Sequence, residues 1–476
     1  MGPDNYSLIS ALFPKLLGII YFIAFGGFLF QIKGLLGEKG ILPIKAFLRY
    51  IKMRIGPSGY FYVPTLFWFN SGNKALVSVV ATGTLCSLLL IINNDPAYTP
   101  IFLILLAILH LSIVSAGQDF LSFGWETTLL EITYITIFLS LSSPPNPFIW
   151  ISLNLLLFRL HFEGGMSKLL SHDKNWRNLT AVAFHYQSQP IPNVIAWYVH
   201  KLPLSFHKVS CALMLFIEIV VPFAIFLSED IRGITFLLLL GLQLMILLTG
   251  NFSYLNWMTI LFSTILISNH YLNHLLQPKS WEFLDATLWC SIVGVIFILL
   301  QLASLWNFLL PTKKILIRLF SWIEPFHPIN KHGIFAVMTT KRLEIVIEGS
   351  NDQINWYEYT FFFKPSEITR RPRWFAPYHP RLDWRVWFLP FTNYASSYWF
   401  QQFIECLLLG SSDVLKLIRK NPFPNEPPLF IRVLLYDYEF SDKETKKNTN
   451  VWWKRTLISS YSPILTLNRH ENRLLA

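Results

Sequence analysis

Long apolar runs recur through the first two thirds of the chain, and short polar segments separate them. The hydrocarbon core of a bilayer is about 30 Å thick, so a helix needs about 20 apolar residues to cross it. The runs therefore predict about seven to nine transmembrane helices. The predicted spans are 15–30, 75–93, 100–116, 127–142, 148–162, 209–227, 233–249, 256–272 and 287–309.

The pattern changes near Lys313, where the long apolar runs stop and an alternation with a period of two begins. Leu343, Ile345 and Ile347 alternate with polar residues, and a Gly349–Asp352 turn follows, which is typical of a β-hairpin. The remaining predicted elements are a strand at 430–440 and helices at 398–409 and 413–420.

The composition agrees with this division of the chain. Of the 476 residues, 53% are hydrophobic and 14% are charged, whereas about 25% charged residues is usual for a soluble globular protein. The predicted fold class is a polytopic α-helical membrane bundle in residues 1–312, followed by a mixed, largely β C-terminal soluble domain in residues 313–476. The lipid bilayer is therefore one predicted partner.

The net charge of +11 indicates a negatively charged partner, for which the membrane surface is the candidate. Basic side chains concentrate in two polar loops, 33–74 and 163–208, and no basic stripe with interleaved aromatic residues recurs. We therefore expect contact with anionic lipid headgroups and no nucleic acid partner. If the chain crosses nine times, both loops and the C-terminal domain fall on one face, which the positive-inside rule assigns to the cytoplasm.

The sequence shows no motif of a metal or nucleotide site. Its four cysteines are scattered singly without a CxxC pair, and its histidines lack the spacing of metal ligands. It contains no Walker loop, no dinucleotide glycine fingerprint and no Gly-x-Ser-x-Gly elbow. We therefore expect no metal and no cofactor.

The densest polar cluster is the 163–208 loop, and Lys168 and His185 are its candidate catalytic residues. A lysine in a dry pocket can act as a base, and a histidine can relay protons near neutral pH. The alternative is structural, with Lys168 reaching toward the headgroups and the histidines capping helices or anchoring at the surface. The residues alone leave both interpretations open.

Several further polar residues lie in or beside the predicted spans. A carboxylate inside a span is costly and is usually paired, so Glu131 and Glu218 each require a partner. Ion transport is one use for such groups, but the chain shows no repeated halves with broken helices. We therefore predict structural pairing within the bundle. The predicted structural residues are Glu126, Glu131, Arg159, Glu218 and Asn251.

A series of short strings, in order along the chain, resembles the lipase maturation factor family. The strings lie at 31–35, 40–43, 122–126, 158–160, 173–179, 185–187, 189–190, 250–252, 348–352, 380–384, 421–424 and 452–455. The resemblance implies a membrane protein that helps secreted or exported client proteins, such as lipases, to fold and assemble. It implies a folding factor rather than a hydrolase.

The same resemblance implies that the C-terminal domain binds the client. The client-binding candidates are Trp374, Arg381, Asp383, Trp384 and Trp387, with exposed aromatic rings. An ordinary β-domain core is the alternative role for these rings. The implied location is the endoplasmic reticulum membrane in a eukaryote or the inner membrane in a bacterium, with the C-terminal domain lumenal or periplasmic. That orientation conflicts with the charge rule, although long domains translocate whatever their charge.

Two fainter similarities imply other activities. Gly165–Leu169 looks like the Gly-x-x-Lys-Leu string that carries the base in the membrane half of the vitamin K-dependent carboxylases. It implies, as the alternative function, a membrane enzyme that uses Lys168 as its base. The turn Glu348–Asp352 with Trp356 resembles a hairpin of discoidin-type modules, which bind glycans or lipid surfaces.

Overall fold

The structure, a computed structural model, describes residues 3–273, 281–282, 286–310, 314–468 and 473–475. Within these ranges, nine helices form a bundle and a small antiparallel sheet lies in the C-terminal part. The bundle helices are α1 (Ser7–Leu29), α2 (Asn73–Ile92), α3 (Thr99–Ala116), α4 (Gly124–Leu139), α5 (Pro147–Leu170), α6 (Leu204–Ile219), α7 (Glu229–Thr249), α8 (Leu255–Ser263) and α9 (Thr287–Leu309).

Each of the nine predicted spans falls on one of these helices. Among the described residues, six helices are long and apolar enough to cross a membrane, namely α1, α2, α3, α6, α7 and α9 with short extensions. The other three differ, because α4 has 16 residues, α8 has 9, and the 24 residues of α5 carry several charges. The predicted fold class is confirmed by these apolar helices and the C-terminal sheet. The number of complete crossings stays a prediction.

Helix α5 is longer than the span predicted at 148–162. That prediction ended the span at Arg159 and His161, but the helix continues to Leu170 because both side chains are buried with partners. His161 Nδ1 donates to the Leu157 carbonyl at 3.0 Å. Polar residues in the middle of a helix therefore do not mark a membrane boundary here.

The turns at one end of the bundle contact one another. Asn5, before α1, contacts Glu229 at the start of α7. The strand β1 (Ser142–Ser143), before α5, pairs with β2 (Trp281–Glu282), before α9. The helices that start at this end run toward the opposite end, where the loops 33–74 and 163–208 lie.

The opposite end of the bundle carries both polar loops and the C-terminal part. Ser411 Oγ donates to the Lys39 carbonyl at 2.6 Å, and Trp387 Nε1 donates to the Ser188 carbonyl at 3.1 Å. The C-terminal part thus contacts both polar loops. Which side of the membrane this end occupies stays a prediction.

Short helices lie in the loops before α9. The helix Ile44–Ile55 is amphipathic, since Ile44 and Leu48 are buried whereas Lys52 and Arg54 are exposed. Its basic outer face suits the headgroup layer of a membrane. The other short helices are Ile32–Leu36, Gly59–Tyr62, Lys174–Arg177, Ala181–Ser188, Val194–His200 and Asn269–Leu272.

The C-terminal sheet contains the predicted hairpin, β3 (Arg342–Ser350) with β4 (Tyr357–Glu358), and the predicted strand, β5 (Phe430–Phe440). The fourth strand is β6 (Trp453–Ser460), and the order in the sheet is β4–β3–β5–β6. All neighbours are antiparallel, and Ile345 faces Leu435 in the β3–β5 register. A separate two-stranded pair joins β7 (Thr466–Asn468) to β8 (Arg473–Leu475).

The helices of this part are α10 (Lys314–Ile323), α11 (Arg381–Val386), α12 (Tyr398–Leu408), α13 (Ser412–Leu415) and α14 (Lys443–Thr449). The prediction of a helix at 398–409 is confirmed by α12. The helix predicted at 413–420 is shorter, because Lys420 forms an antiparallel bridge with Thr360 and the chain must leave the helix to reach it.

A continuous hydrophobic core joins the bundle to the C-terminal part. Trp384 lies edge-on to Trp125 with ring centroids 5.3 Å apart, and Trp399 lies edge-on to Phe120 at 5.7 Å. Aromatic pairs in this geometry add about 0.5–1.5 kcal/mol beyond their buried area. The C-terminal part is therefore packed onto the bundle rather than tethered to it.

Candidate functional site

The junction between the bundle and the C-terminal part is built on buried ion pairs. Arg159 of α5 donates from Nη1 to Glu131 Oε1 at 3.0 Å and from Nε to Glu163 Oε1 at 2.9 Å. Its Nη2 donates to the Ser304 hydroxyl and to the Asn330 carbonyl. Glu131 thus has the partner that its place in a span required.

The chain that leads into the C-terminal part completes this network. The backbone N–H of Asn330 donates to Glu131 Oε2 at 2.8 Å, and the backbone N–H of His332 donates to Glu163 Oε2 at 2.9 Å. Each carboxylate therefore has both oxygens hydrogen-bonded. A network satisfied in this way is rigid and holds one arrangement of the chain.

A second buried pair fastens α11 to the bundle. Arg381 Nη2 lies 2.6 Å from Glu126 Oε1, and its Nη1 donates to the Phe120 carbonyl at 2.9 Å. Gln31 accepts from the Arg381 backbone N–H at 2.9 Å and donates to the His379 carbonyl at 2.8 Å. Arg381, a client-binding candidate, is buried with its charge against Glu126, and its part in client binding stays a prediction.

Three more client-binding candidates are buried at the junction. Asp383 Oδ1 accepts the backbone N–H groups of Phe363 and Lys364 at 2.6 and 2.9 Å. Trp384 packs on the bundle, and Trp387 hydrogen-bonds to the long loop. The expectation that these rings are exposed is wrong, because α11 lies against the bundle, a tertiary contact that local sequence does not display.

Trp374 differs from the other candidates, since it is 48% exposed. It lies beside a junction contact, because the neighbouring Arg373 carbonyl accepts from Asn251 Nδ2 at 2.9 Å. Asn251 also donates to the Ile191 carbonyl at 3.2 Å and accepts from the Phe375 backbone N–H at 3.0 Å. Asn251 thus joins the turn after α7, the 163–208 loop and the C-terminal part.

Arg342, at the start of β3, contacts three carbonyls of the 163–208 loop. Its guanidinium donates to Gln187 at 2.9 Å, to Gln189 at 2.5 Å and to Pro190 at 2.8 Å. The charge is balanced by Glu344 at 2.5 Å. This buried arginine secures the sheet to the loop, a role that local sequence does not indicate beyond a basic residue at the start of an apolar strand.

Lys168 and Glu218 form a further buried pair, at the wall of a cavity of about 550 Å³. Lys168 Nζ donates to Glu218 Oε2 at 2.7 Å and to the Gly164 carbonyl at 3.0 Å. The ammonium also lies 5.7 Å from the centroid of the Trp176 ring. Lys168 therefore does not reach toward the headgroups, and Glu218 has the partner that a carboxylate within a span requires.

His185 lines the same cavity. Its ring stacks on Phe252 at 5.9 Å and lies edge-on to Phe335 at 5.1 Å, and no described residue hydrogen-bonds to either ring nitrogen. Burial, with a smaller contribution from the Lys168 charge, lowers the pKa of His185 to about 4. The imidazole is thus neutral at physiological pH and can donate and accept one hydrogen bond each.

Within the described ranges, no three His, Cys, Asp or Glu residues come together as metal ligands. Three of the four cysteines are buried, and all four are free thiols.

Comparison with known proteins places the whole chain in one family. A family model described as the lipase maturation factor transmembrane domain matches residues 8–274, and one described as the lipase maturation factor C-terminal domain matches residues 328–463. The chain belongs to the lipase maturation factor family. The family assignment made from the short strings is thereby confirmed, and the protein is a multi-pass membrane protein.

Individual family members are similar along nearly the entire chain. Lipase maturation factor 1 of Mus musculus is 31% identical, over 95% of this chain and 86% of its own. Lipase maturation factor 2 of Gallus gallus is 28% identical, over 96% of this chain and 81% of its own. No solved structure matches this chain.

The family strings meet at the junction in space. Gln31, Glu126, Arg159, Asn251 and Arg381 each belong to a string quoted above, and each makes a hydrogen bond or ion pair to another segment of the junction. In this lipase maturation factor family member, the strings therefore hold the bundle and the C-terminal part together.

Proposed function

We propose that this protein is a membrane-bound maturation factor that assists the folding and assembly of secreted or exported client proteins such as lipases. The observation that carries the proposal is the match of both family domains, together with relatives named lipase maturation factor along nearly the whole chain. The C-terminal part provides the client-binding surface in this proposal. Its fixed attachment to the bundle supports a platform beside the membrane.

The outer edge of β6 is the client-contact surface that the geometry favours. Among the described strands, β6 pairs with β5 and has no neighbour on its other side. Residues 454–460 are exposed, including Leu457 and Ile458. An exposed strand edge offers free backbone N–H and C=O groups to an extended segment of another chain. An incompletely folded client exposes such segments.

Trp374 remains a client-binding candidate in this proposal, because its ring is exposed beside the junction. Arg381, Asp383, Trp384 and Trp387 would act only by holding the platform in place. The proposed location of the C-terminal part is the lumen of the endoplasmic reticulum or the periplasm, where exported clients fold. Its translocation does not depend on its charge, since long domains cross largely regardless of charge.

The experiment is co-expression with a secreted dimeric lipase, followed by assay of active enzyme in the medium. The Leu457→Lys, Ile458→Lys double variant should lower the yield of active lipase about tenfold while its own membrane abundance stays at the parent level, since these side chains are exposed. Ile354→Lys, on an exposed turn next to β4, is the matched control and should leave the yield unchanged. Equal yields from parent and double variant would remove β6 as the client surface.

The alternative of a membrane enzyme with Lys168 as base requires that the lysine give up its contact with Glu218. The cavity that Lys168 and His185 line gives this alternative a possible substrate site. A Lys168→Ala variant that still supports lipase maturation, at parent abundance, would show that maturation needs no such base.

A further inference from the structure

The cavity beside Lys168 has the size of a ligand site. Its volume of about 550 Å³ falls within the range of about 300–1,000 Å³ that is usual for small-molecule pockets. Its walls are formed by α4, α5, α6, α7, α8, the helix Ala181–Ser188 and residues 331–335. Its lining is mostly apolar, and Lys168, Glu218 and His185 supply polar groups at one part of the wall.

The apolar wall of the cavity faces the lipid. Leu213 of α6 and Leu237 and Met245 of α7 line it and are 55%, 63% and 56% exposed. Both helices belong to candidate membrane spans, so their exposed side chains lie in the hydrocarbon region. A molecule dissolved in the bilayer can therefore reach the cavity sideways, between α6 and α7.

The buried Lys168–Glu218 pair gives the polar part of the wall a balanced charge, whereas Lys331, which also lines the cavity, is exposed to solvent. The Lys168 ammonium can donate three hydrogen bonds, and two of them go to Glu218 and to the Gly164 carbonyl. The His185 ring has no hydrogen bond from any described residue. This part of the wall thus offers donors and acceptors without a net charge.

We propose that the cavity binds a neutral amphiphile from the bilayer. Its hydrocarbon chain lies along α6 and α7, and its hydroxyl or carbonyl headgroup binds Lys168, Glu218 and His185. A charged headgroup is disfavoured, because it adds an unpaired charge to a balanced pair away from water. A monoacylglycerol has this chemistry, since its headgroup carries hydroxyls and an ester carbonyl but no charge. The proposal goes beyond client maturation, which requires no ligand at this place.

The direct test uses the full-length protein in nanodiscs with a photoreactive monoacylglycerol. Labelling should map to peptides of α6 and α7, and unlabelled monooleoylglycerol should compete at least about tenfold better than oleate or oleylamine, a difference of about 1.4 kcal/mol. These competitors share one chain and differ in headgroup charge. Labelling spread over all lipid-facing helices, or equal competition by the three, would overturn the proposal.

A cavity-filling variant separates this site from general partition into lipid. Gly241 of α7 lines the cavity, and no other atom lies within 4 Å of a Cβ added there, so Gly241→Phe fills the space without a clash at that atom. It should lower specific labelling about tenfold. Ile234→Phe, on the same helix at a 58% exposed position outside the lining, is the control and should label like the parent. Parent-like labelling of Gly241→Phe would contradict the proposal.

A separate variant, Glu218→Gln, tests the preference of the cavity for a neutral headgroup. Glu218→Gln removes the negative charge and leaves Lys168 unbalanced, so the preference should move toward oleate. If Glu218→Gln is as abundant as the parent and the three competitors keep the same order of potency, the Lys168–Glu218 pair does not contact the headgroup. If Glu218→Gln does not accumulate, the Gly241→Phe and Ile234→Phe comparison decides the proposal by itself.

Discussion

Two buried ion clusters lie near the same end of the bundle, and they differ in how fully their hydrogen bonds are used. Arg159 binds two carboxylates, a hydroxyl and a carbonyl, and it is fully buried. Lys168 binds Glu218 and a carbonyl beside a cavity of about 550 Å³. All four carboxylate oxygens around Arg159 are hydrogen-bonded, and this saturated cluster fixes the structure. The Lys168 cluster lies beside free volume and retains hydrogen-bonding capacity for a ligand.

The two clusters differ in hydrogen bonding because backbone N–H groups reach the carboxylates of one cluster and not those of the other. The segment with Asn330 and His332 delivers backbone N–H groups to the carboxylates around Arg159. Residues 331–335 of the same segment also line the cavity beside Lys168, but no described backbone N–H group donates to Glu218. Apolar side chains of α6 and α7 line the cavity as well.

Breaking the saturated cluster should have the largest effect. Arg159→Met leaves two carboxylates, Glu131 and Glu163, buried without their cation, and loss of one partner from a single buried pair already costs about 3–5 kcal/mol. This approaches the whole stability of an ordinary protein domain, about 5–15 kcal/mol. We expect little folded protein in the membrane fraction, measured by abundance and by thermal unfolding in detergent. Arg49→Met, at an exposed loop position, is the control, and equal abundance of the two variants would contradict the structural role.

Breaking the Glu126–Arg381 pair should have a smaller effect than breaking the Arg159 cluster, because only one carboxylate loses its cation. Arg381→Met leaves one carboxylate unpaired and should lower stability by about 3–5 kcal/mol, and Glu126→Met should act similarly. The double variant replaces both charges with apolar groups and should recover most of the loss. A thermal unfolding series in detergent measures the coupling between the two positions. Additive losses would show that Arg381 and Glu126 do not act as a pair.

Sequence periodicity predicted the helices and strands that depend only on residues close together in the chain. Each apolar run became a helix, and the strand at 430–440 appears as β5 with the same bounds, because these patterns depend only on neighbouring residues. The same reasoning required a partner for Glu131 and for Glu218. It did not identify Arg159 or Lys168 as those partners, because pairing across the bundle depends on how helices pack.

The contacts between distant segments lay beyond local sequence. Trp384 and Trp387 were predicted to lie on an exposed aromatic surface. They are buried because α11 packs on the bundle. Arg342 binds carbonyls more than 150 positions away in the sequence, including that of Gln189. The family strings carried indirect information about this junction, since Gln31 and Asn251 proved to lie in it.

The smallest expected effect concerns His185, which lines the cavity beside Lys168 together with His161 and His332. Its pKa of about 4 in the folded protein lies below the ordinary value of 6.5, so the unfolded chain binds the proton more readily between these values. Stability from this group is complete above about pH 6.5 and is lost as the pH falls toward about 4.

His185→Phe should therefore reduce the loss of stability between pH 7 and pH 5, because phenylalanine keeps the ring contacts with Phe252 and Phe335 but cannot take a proton. Thermal unfolding in detergent at the two pH values measures this loss, and His270→Gln, at an exposed position, should leave it at the parent value. An equal loss in parent and His185→Phe would mean that the His185 ring is hydrated when folded. A bound neutral headgroup that accepts a hydrogen bond from the protonated imidazole should reduce the acid loss in the parent. Arg159 does not line the cavity, so added amphiphile should not rescue Arg159→Met.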